Sequence, residues 1–197
     1  ETLTPDGRVQ LFFFQQFLLL FLLTPTTGAM TMAAHSVVGE KLARTLEPLL
    51  ATPVPTFELL LAKVLGALVP TLVIAMIGLA LYMAGVALLA LPGVIDAMAN
   101  MRTAILILVV APALALLSLQ AAILISSRVN DARTAQQFGV FVIIPITALL
   151  VAQFSGAVWL SAAALAAIGI GTLVLWIILA AISVRVFDRE TILTRWR

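Results

Sequence analysis

Five apolar runs, at 11–32, 59–89, 104–125, 138–154 and 159–184, decide most of what this chain can become. A straight helical crossing of a bilayer takes about 20 residues, with about 17 still sufficient. In the hydrocarbon layer no water solvates backbone N–H and C=O groups, so each run can satisfy them only by coiling into a helix. Composition agrees with this. Hydrophobic residues make up 63% of the 197 positions and charged residues 10%, against about 45–50% and about 25% in soluble domains. The expected fold is an all-α, polytopic transmembrane helical bundle, a single domain over 1–197 with five spans. The second run exceeds one crossing and is expected to tilt, to kink at Pro70 or to project from the membrane. The fourth is the shortest and contains Pro145, and the fifth follows it closely. Two full crossings fit the charges there better than a partly re-entrant hairpin.

Alternation of the spans sorts the 11 basic residues into Lys41, Arg44, Lys63, Arg128, Arg133, Arg185, Arg189, Arg195 and Arg197 on one side and Arg8 and Arg102 on the other, nine against two. The positive-inside rule makes the first group, and the C-terminus, cytoplasmic. Five spans then leave the N-terminus outside. Nothing in residues 1–10 directs its export, so a further helix is expected upstream of residue 1, giving six spans with both ends inside.

Several chemistries are excluded. There is no cysteine, and the single His35 cannot form a histidine metal cluster. His35 reads as an interfacial residue at the end of the first span. No basic patch interleaved with aromatics suggests nucleic acid. Serine catalysis needs a base beside the nucleophile, yet His35 and Ser155 fall at opposite ends of spans. All nine acidic residues lie in loops or at span ends, which counts against an ion-coupled carrier with a charge at mid-membrane. No GxxxxGK[ST] phosphate loop occurs, so this chain has no Walker-type ATP site of its own.

The longest charged stretch between spans is more informative. In 39–54, Leu42, Leu46, Leu49 and Leu50 recur at helical spacing, while Glu40, Arg44 and Glu47 lie on the other side. This pattern predicts a short amphipathic helix along the membrane surface. Pro48 interrupts its regularity, Thr52-Pro53-Val54-Pro55 ends it, and Thr56 is placed to cap the next helix. Taken alone, the segment is equally an interfacial connector with solvated charges.

Gly39-Glu40-Lys41, Thr45-Leu46-Glu47, Leu49 to Val54, and Glu58-Leu59-Leu60-Leu61 with Lys63 resemble the cytoplasmic motif of type-2 ABC exporter permeases. The tail from Phe187 to Trp196 is similar to that of the branch with sodium-efflux and drug-efflux permeases. Leu42, Ala43 and Pro55 depart from the residue types common at their places. The resemblance implies a permease subunit in the plasma (inner) membrane of a prokaryote, paired with a second permease subunit. It also implies a separate ABC ATPase subunit that binds ATP and Mg2+, this chain carrying no cofactor itself. Glu40, Lys41, Arg44, Thr45 and Glu47 are then the partner-coupling residues. A secondary transporter or channel, uncoupled from ATP, is the alternative, followed by a scaffold.

On a regular helix Gln16, Thr24, Thr27 and Thr31 fall within about 80° of one another, given about 100° per residue. They form a candidate pathway face. The alternative is hydrogen bonding to neighbouring helices, and Pro25 is placed to break the register. Ala163, Ala167 and Gly171 form a small-xxx-small run expected to pack closely on another helix.

Overall fold

A computed structural model describes residues 3–43, 55–128 and 132–186, and every regular element among them is helical. The helices are α1 (Pro5–Leu20), α2 (Leu23–Leu42), α3 (Thr56–Leu89), α4 (Val94–Met98), α5 (Met101–Ile105), α6 (Ala111–Arg128), α7 (Ala132–Phe154) and α8 (Ala162–Val186), with a π-helical turn at Leu106–Val110. Four stretches are long and apolar enough to cross a membrane: Pro5–Glu40, Phe57–Leu89, Met101–Ser126 and Ala162–Val184. Phe141–Phe154 is a shorter apolar helix. The chain is an all-α, multi-pass membrane protein.

The first expected span is two helices rather than one. Pro25 has no N–H to give the carbonyl of Phe21, four residues back, and its ring crowds that oxygen. The Thr24 N–H takes the Phe21 carbonyl instead at 3.1 Å, and Leu22 N–H reaches only to Leu19 O at 3.0 Å. Phe21 and Leu22 therefore form a turn, which resets the register between α1 and α2. Thr4 begins α1 by accepting the Gly7 N–H at 3.1 Å. At its other end α2 continues to Leu42. Residues 39–42 are thus its last turn and not the start of a separate surface helix, while 44–54 lie outside the described residues. Pro55, not Thr56, occupies the N-cap of α3, and it caps with no side-chain hydrogen bond.

α3 runs unbroken through Pro70 for 34 residues, about 51 Å at 1.5 Å per residue. It outreaches a hydrocarbon core of about 30 Å, and Leu65, Val69, Val73, Ile77 and Leu81 are exposed along it. Gly93, at φ 84°, turns the chain into α4, a conformation glycine adopts without steric cost. Val94 and Met98 of α4 are fully buried.

The π turn has a local cause as well. Pro112 cannot donate to Leu108 O, and just upstream the Ala111 N–H bonds Leu106 O, five residues back. Such bulges widen a helix by one residue and re-aim its neighbours.

α2 is the hub, packing chiefly on α6 and also on α3 and α7. Its seam is made of small residues: Ala29 and Ala33 meet Ala67 of α3 and Ala115 and Ala122 of α6, with Leu119 and Ile123 filling between. Lipid tails are as apolar as leucine, so helices gain little by hiding apolar surface from them. Close approach of small residues and hydrogen bonds hold such bundles together. A second layer joins Leu18, Leu19 and Leu22 to Leu106, Leu114, Ile146, Leu150 and Leu165.

On α8 Gly169 is a closely packed small residue, where an added Cβ would lie 2.8 Å from Val109 Cγ1 of the π turn. Ala163, Ala167 and Gly171 are exposed instead, and among the described residues nothing lies within 4 Å of a Cβ at Gly171. The small-xxx-small run therefore does not mark the packed face within this subunit. Gly169→Leu should lower stability by about 1–3 kcal/mol through overpacking, whereas Gly171→Leu should stay within about 0.5 kcal/mol. Thermal unfolding of the two purified variants in one detergent checks the difference.

Candidate functional site

Charged side chains gather where α2 ends and α3 begins. Glu40 sits on the last turn of α2, and Lys63 sits two turns into α3. The Lys63 ammonium donates to Glu40 Oε2 in an ion pair across the two helices. Lys63 is the more enclosed partner, its side chain 7% accessible against 32% for Glu40. His35, Ser36, Glu58 and Gly66 join them around an open cavity of about 880 Å3. This cavity lies between the last turns of α2 and the first turns of α3.

Glu40 was expected on a solvent-facing side opposite the leucines. It turns to α3 instead, because Lys63 is a buried cation, and an unpaired charge there would cost several kcal/mol. Lys41 belongs to the last turn of α2, while Arg44, Thr45 and Glu47 lie outside the described residues.

The expected polar stripe is dispersed. Gln16 is buried on α1, and among the described residues neither atom of its amide finds a hydrogen-bond partner. Thr24 and Thr31 are exposed on α2. Thr27 is half-buried and donates to Leu23 O at 2.7 Å. The turn at Phe21–Leu22 puts Gln16 and the threonines on separate helices, so one stripe cannot run through them. Thr26, missed by sequence reasoning, is fully buried and donates to Leu22 O at 2.7 Å, where it satisfies a carbonyl beside the turn. Gln153 of α7 matches Gln16, buried and with an unpartnered amide, and α1 packs on α7. Its place, one turn beyond the buried Leu150, was the available signal. Among the described residues no three His, Asp or Glu side chains come together as metal donors.

The opposite end is held by hydrogen bonds to backbone. The Gln10 amide donates to Leu89 O at 2.8 Å and accepts from Leu91 N at 2.7 Å, which fastens α1 to the end of α3. Tyr82 Oη donates to Phe14 O at 2.6 Å. Arg102 donates to Gln15 Oε1 at 2.6 Å and lies 4.8 Å from the Trp159 ring centre. α1 is therefore stapled to α3 and α5, while α2 is tied to α3 at the charge-rich end by the ion pair.

That pair should respond asymmetrically to truncation. Glu40→Leu strands the enclosed ammonium and should cost about 1.5–3 kcal/mol, the range for hydrogen bonds to charged groups. Lys63→Met leaves a carboxylate that water can reach and should cost about 1 kcal/mol or less. Thermal unfolding of both variants and of the charge-swapped Glu40→Lys/Lys63→Glu protein measures this, and the swap should recover most of the loss.

A family model described as ABC-2 family transporter protein matches residues 2–178. Comparison with curated proteins and with solved structures gives no match.

Proposed function

Because this chain belongs to the ABC-2 family of transporter proteins and is therefore the membrane component of an ABC transporter, we propose that it is the permease subunit of an exporter driven by a separate ATPase. ATP and Mg2+ would bind on that nucleotide-binding subunit, and a second permease subunit, identical or homologous, would complete the translocation unit. The family match carries this reading, since it spans both α2 and α3 and the charged residues between them.

The arrangement of helices supports a route for coupling. α2, the helix with the widest packing, ends in the segment that contains Arg44, Thr45 and Glu47, and α3 begins where that segment ends. A push on the segment would reach both helices together, because Glu40 on one is paired with Lys63 on the other. On this reading Glu40 and Lys41 belong to the clamp end of the coupling device, and Arg44, Thr45 and Glu47 to the surface that meets the ATPase. Thr24 and Thr31, exposed on α2, would line a pathway completed by the second permease subunit. Gln16 and Thr27 would support it from within.

The coupling surface is testable apart from the clamp. Arg44→Glu with Glu47→Lys should leave thermal stability unchanged and reduce co-purification of the ATPase subunit at least about tenfold, since truncating one partner of a buried interfacial charge pair costs about 2–5 kcal/mol. Wild-type recovery of the ATPase, with wild-type transport-linked hydrolysis, would remove the coupling role. Transport driven by an ion gradient with no ATPase present would favour a carrier.

We further propose that the charge-rich end faces the cytoplasm of a prokaryotic cell, motivated by the distribution of basic residues. The chain has no native cysteine, so single cysteines at exposed Asp96 and exposed Ala43 report the two ends. A membrane-impermeant thiol reagent on intact cells should label Asp96→Cys and spare Ala43→Cys. The reverse pattern inverts the topology.

A further inference from the structure

α7 and α8 are consecutive in the chain, joined by residues 155–161, yet each packs on α6 without packing extensively on the other. The space left between them is a cleft of about 520 Å3 with Leu114 and Leu117 of α6 as its floor. Val142, Pro145 and Leu149 form one wall, and Ile168, Thr172 and Leu175 lie along the other. Phe141, Leu175 and Ile178 at the rim are 71%, 54% and 49% accessible, so the cleft opens sideways from the bundle, at the depth of the apolar spans.

The wall chemistry selects the occupant. Among the described residues that line the cleft Thr172 carries the one side-chain polar group, and it is already committed, its hydroxyl donating to Ile168 O at 2.7 Å. A polar solute would find no hydrogen-bond partner, and apolar cavities exclude water. Sites for small molecules normally combine apolar walls with a few placed polar groups, and here those groups are missing. What remains is an apolar chain. The lining residues of α8 run from Leu165 to Leu179, about 21 Å of helix at 1.5 Å per residue. One leaflet of hydrocarbon is about 15 Å deep, half of the about 30 Å core. The slot is long enough to hold an acyl tail along its length, and the bilayer around it supplies such tails.

We infer that the α7–α8 cleft is a lateral binding site for one acyl chain of a membrane lipid, which fills the gap and holds the two helices apart. This inference rests on the membrane setting of the chain and not on ATP coupling, so it stands or falls separately from the proposed exporter mechanism.

The test uses the full-length protein in liposomes of phosphatidylethanolamine and phosphatidylglycerol, with a trace of phosphatidylcholine bearing a diazirine in one acyl chain. After irradiation, adducts are mapped by mass spectrometry. The cleft residues of α7 and α8 should be labelled several-fold more densely than exposed Leu65, Val69 and Leu81 of α3, which meet bulk lipid. Leu149→Trp with Ile168→Trp should fill the cleft and remove the excess while leaving α3 labelling unchanged. Ala121→Leu is the milder variant and should reduce the excess even where the double substitution fails to fold. Cleft labelling no denser than on α3 in the wild-type protein overturns the proposal. So does efficient disulfide formation between two copies carrying Leu149→Cys, because a helix of a second copy would then occupy the cleft.

Discussion

Everything in this bundle depends on how closely α2 and α6 can approach. In water a helix is driven against its neighbour by its apolar face, whereas in lipid that drive is missing and contact distance takes its place. Ala29 and Ala33 on α2, and Ala115 and Ala122 on α6, are all fully buried. With alanine methyl groups at these four positions, dispersion contacts accumulate along the seam, and Leu119 and Ile123 fill the space between. The same logic recurs where Gly28 of α2 comes near Thr71 of α3, and where Gly169 lets α8 lie against the π turn. Large apolar residues are plentiful on this chain, but many of them point outward, as along α3.

Because small residues hold the centre, polar contacts are free to set the ends. At one end Gln10, Tyr82 and Arg102 bond to backbone or amide groups and fix α1 on α3 and α5. At the other an ion pair, Glu40 with Lys63, ties α2 to α3. The two ends therefore differ in kind. The first is a set of neutral or half-buried bonds with little reason to rearrange, while the second is a charged latch beside an open cavity. That asymmetry suits a subunit on which force is applied from one side, as the proposed coupling requires.

Prolines supply the irregularities. Pro25 divides the first crossing into α1 and α2, and Pro112 accompanies the π turn before α6. Each removes one backbone donor, and the chain answers by shifting the ladder by one residue. The π turn receives α8 at Gly169, which draws α8 to α6 and away from α7. The cleft between α7 and α8 is thus a consequence of where one glycine and one proline fall, two helices away from each other in the chain.

The all-helical, membrane-spanning nature of the protein was legible in the sequence, since apolar runs of that length have one way to satisfy their backbone in lipid. Membership of the ABC-2 family was legible too, from the residues around Glu40, Glu47 and Lys63. Pro25 announced a break, but not that it would separate Gln16 from Thr24, Thr27 and Thr31. Spacing along one helix predicts a shared face only while the register is continuous, and the turn at Phe21–Leu22 ends it. Nor could spacing reveal that Gly169 of α8 packs closely while Ala163, Ala167 and Gly171 are exposed. Both are small-residue signals on one helix, and the choice belongs to the neighbour, whose π turn brings Val109 to one of them. The pairing of Glu40 with Lys63 is of the same kind. Each charge was visible, but their meeting depends on how α2 packs against α3, which spacing along either helix does not give. Local chemistry thus determined the elements and their solvent, and the distances between helices, fixed by small residues far apart in the chain, decided which side chains meet.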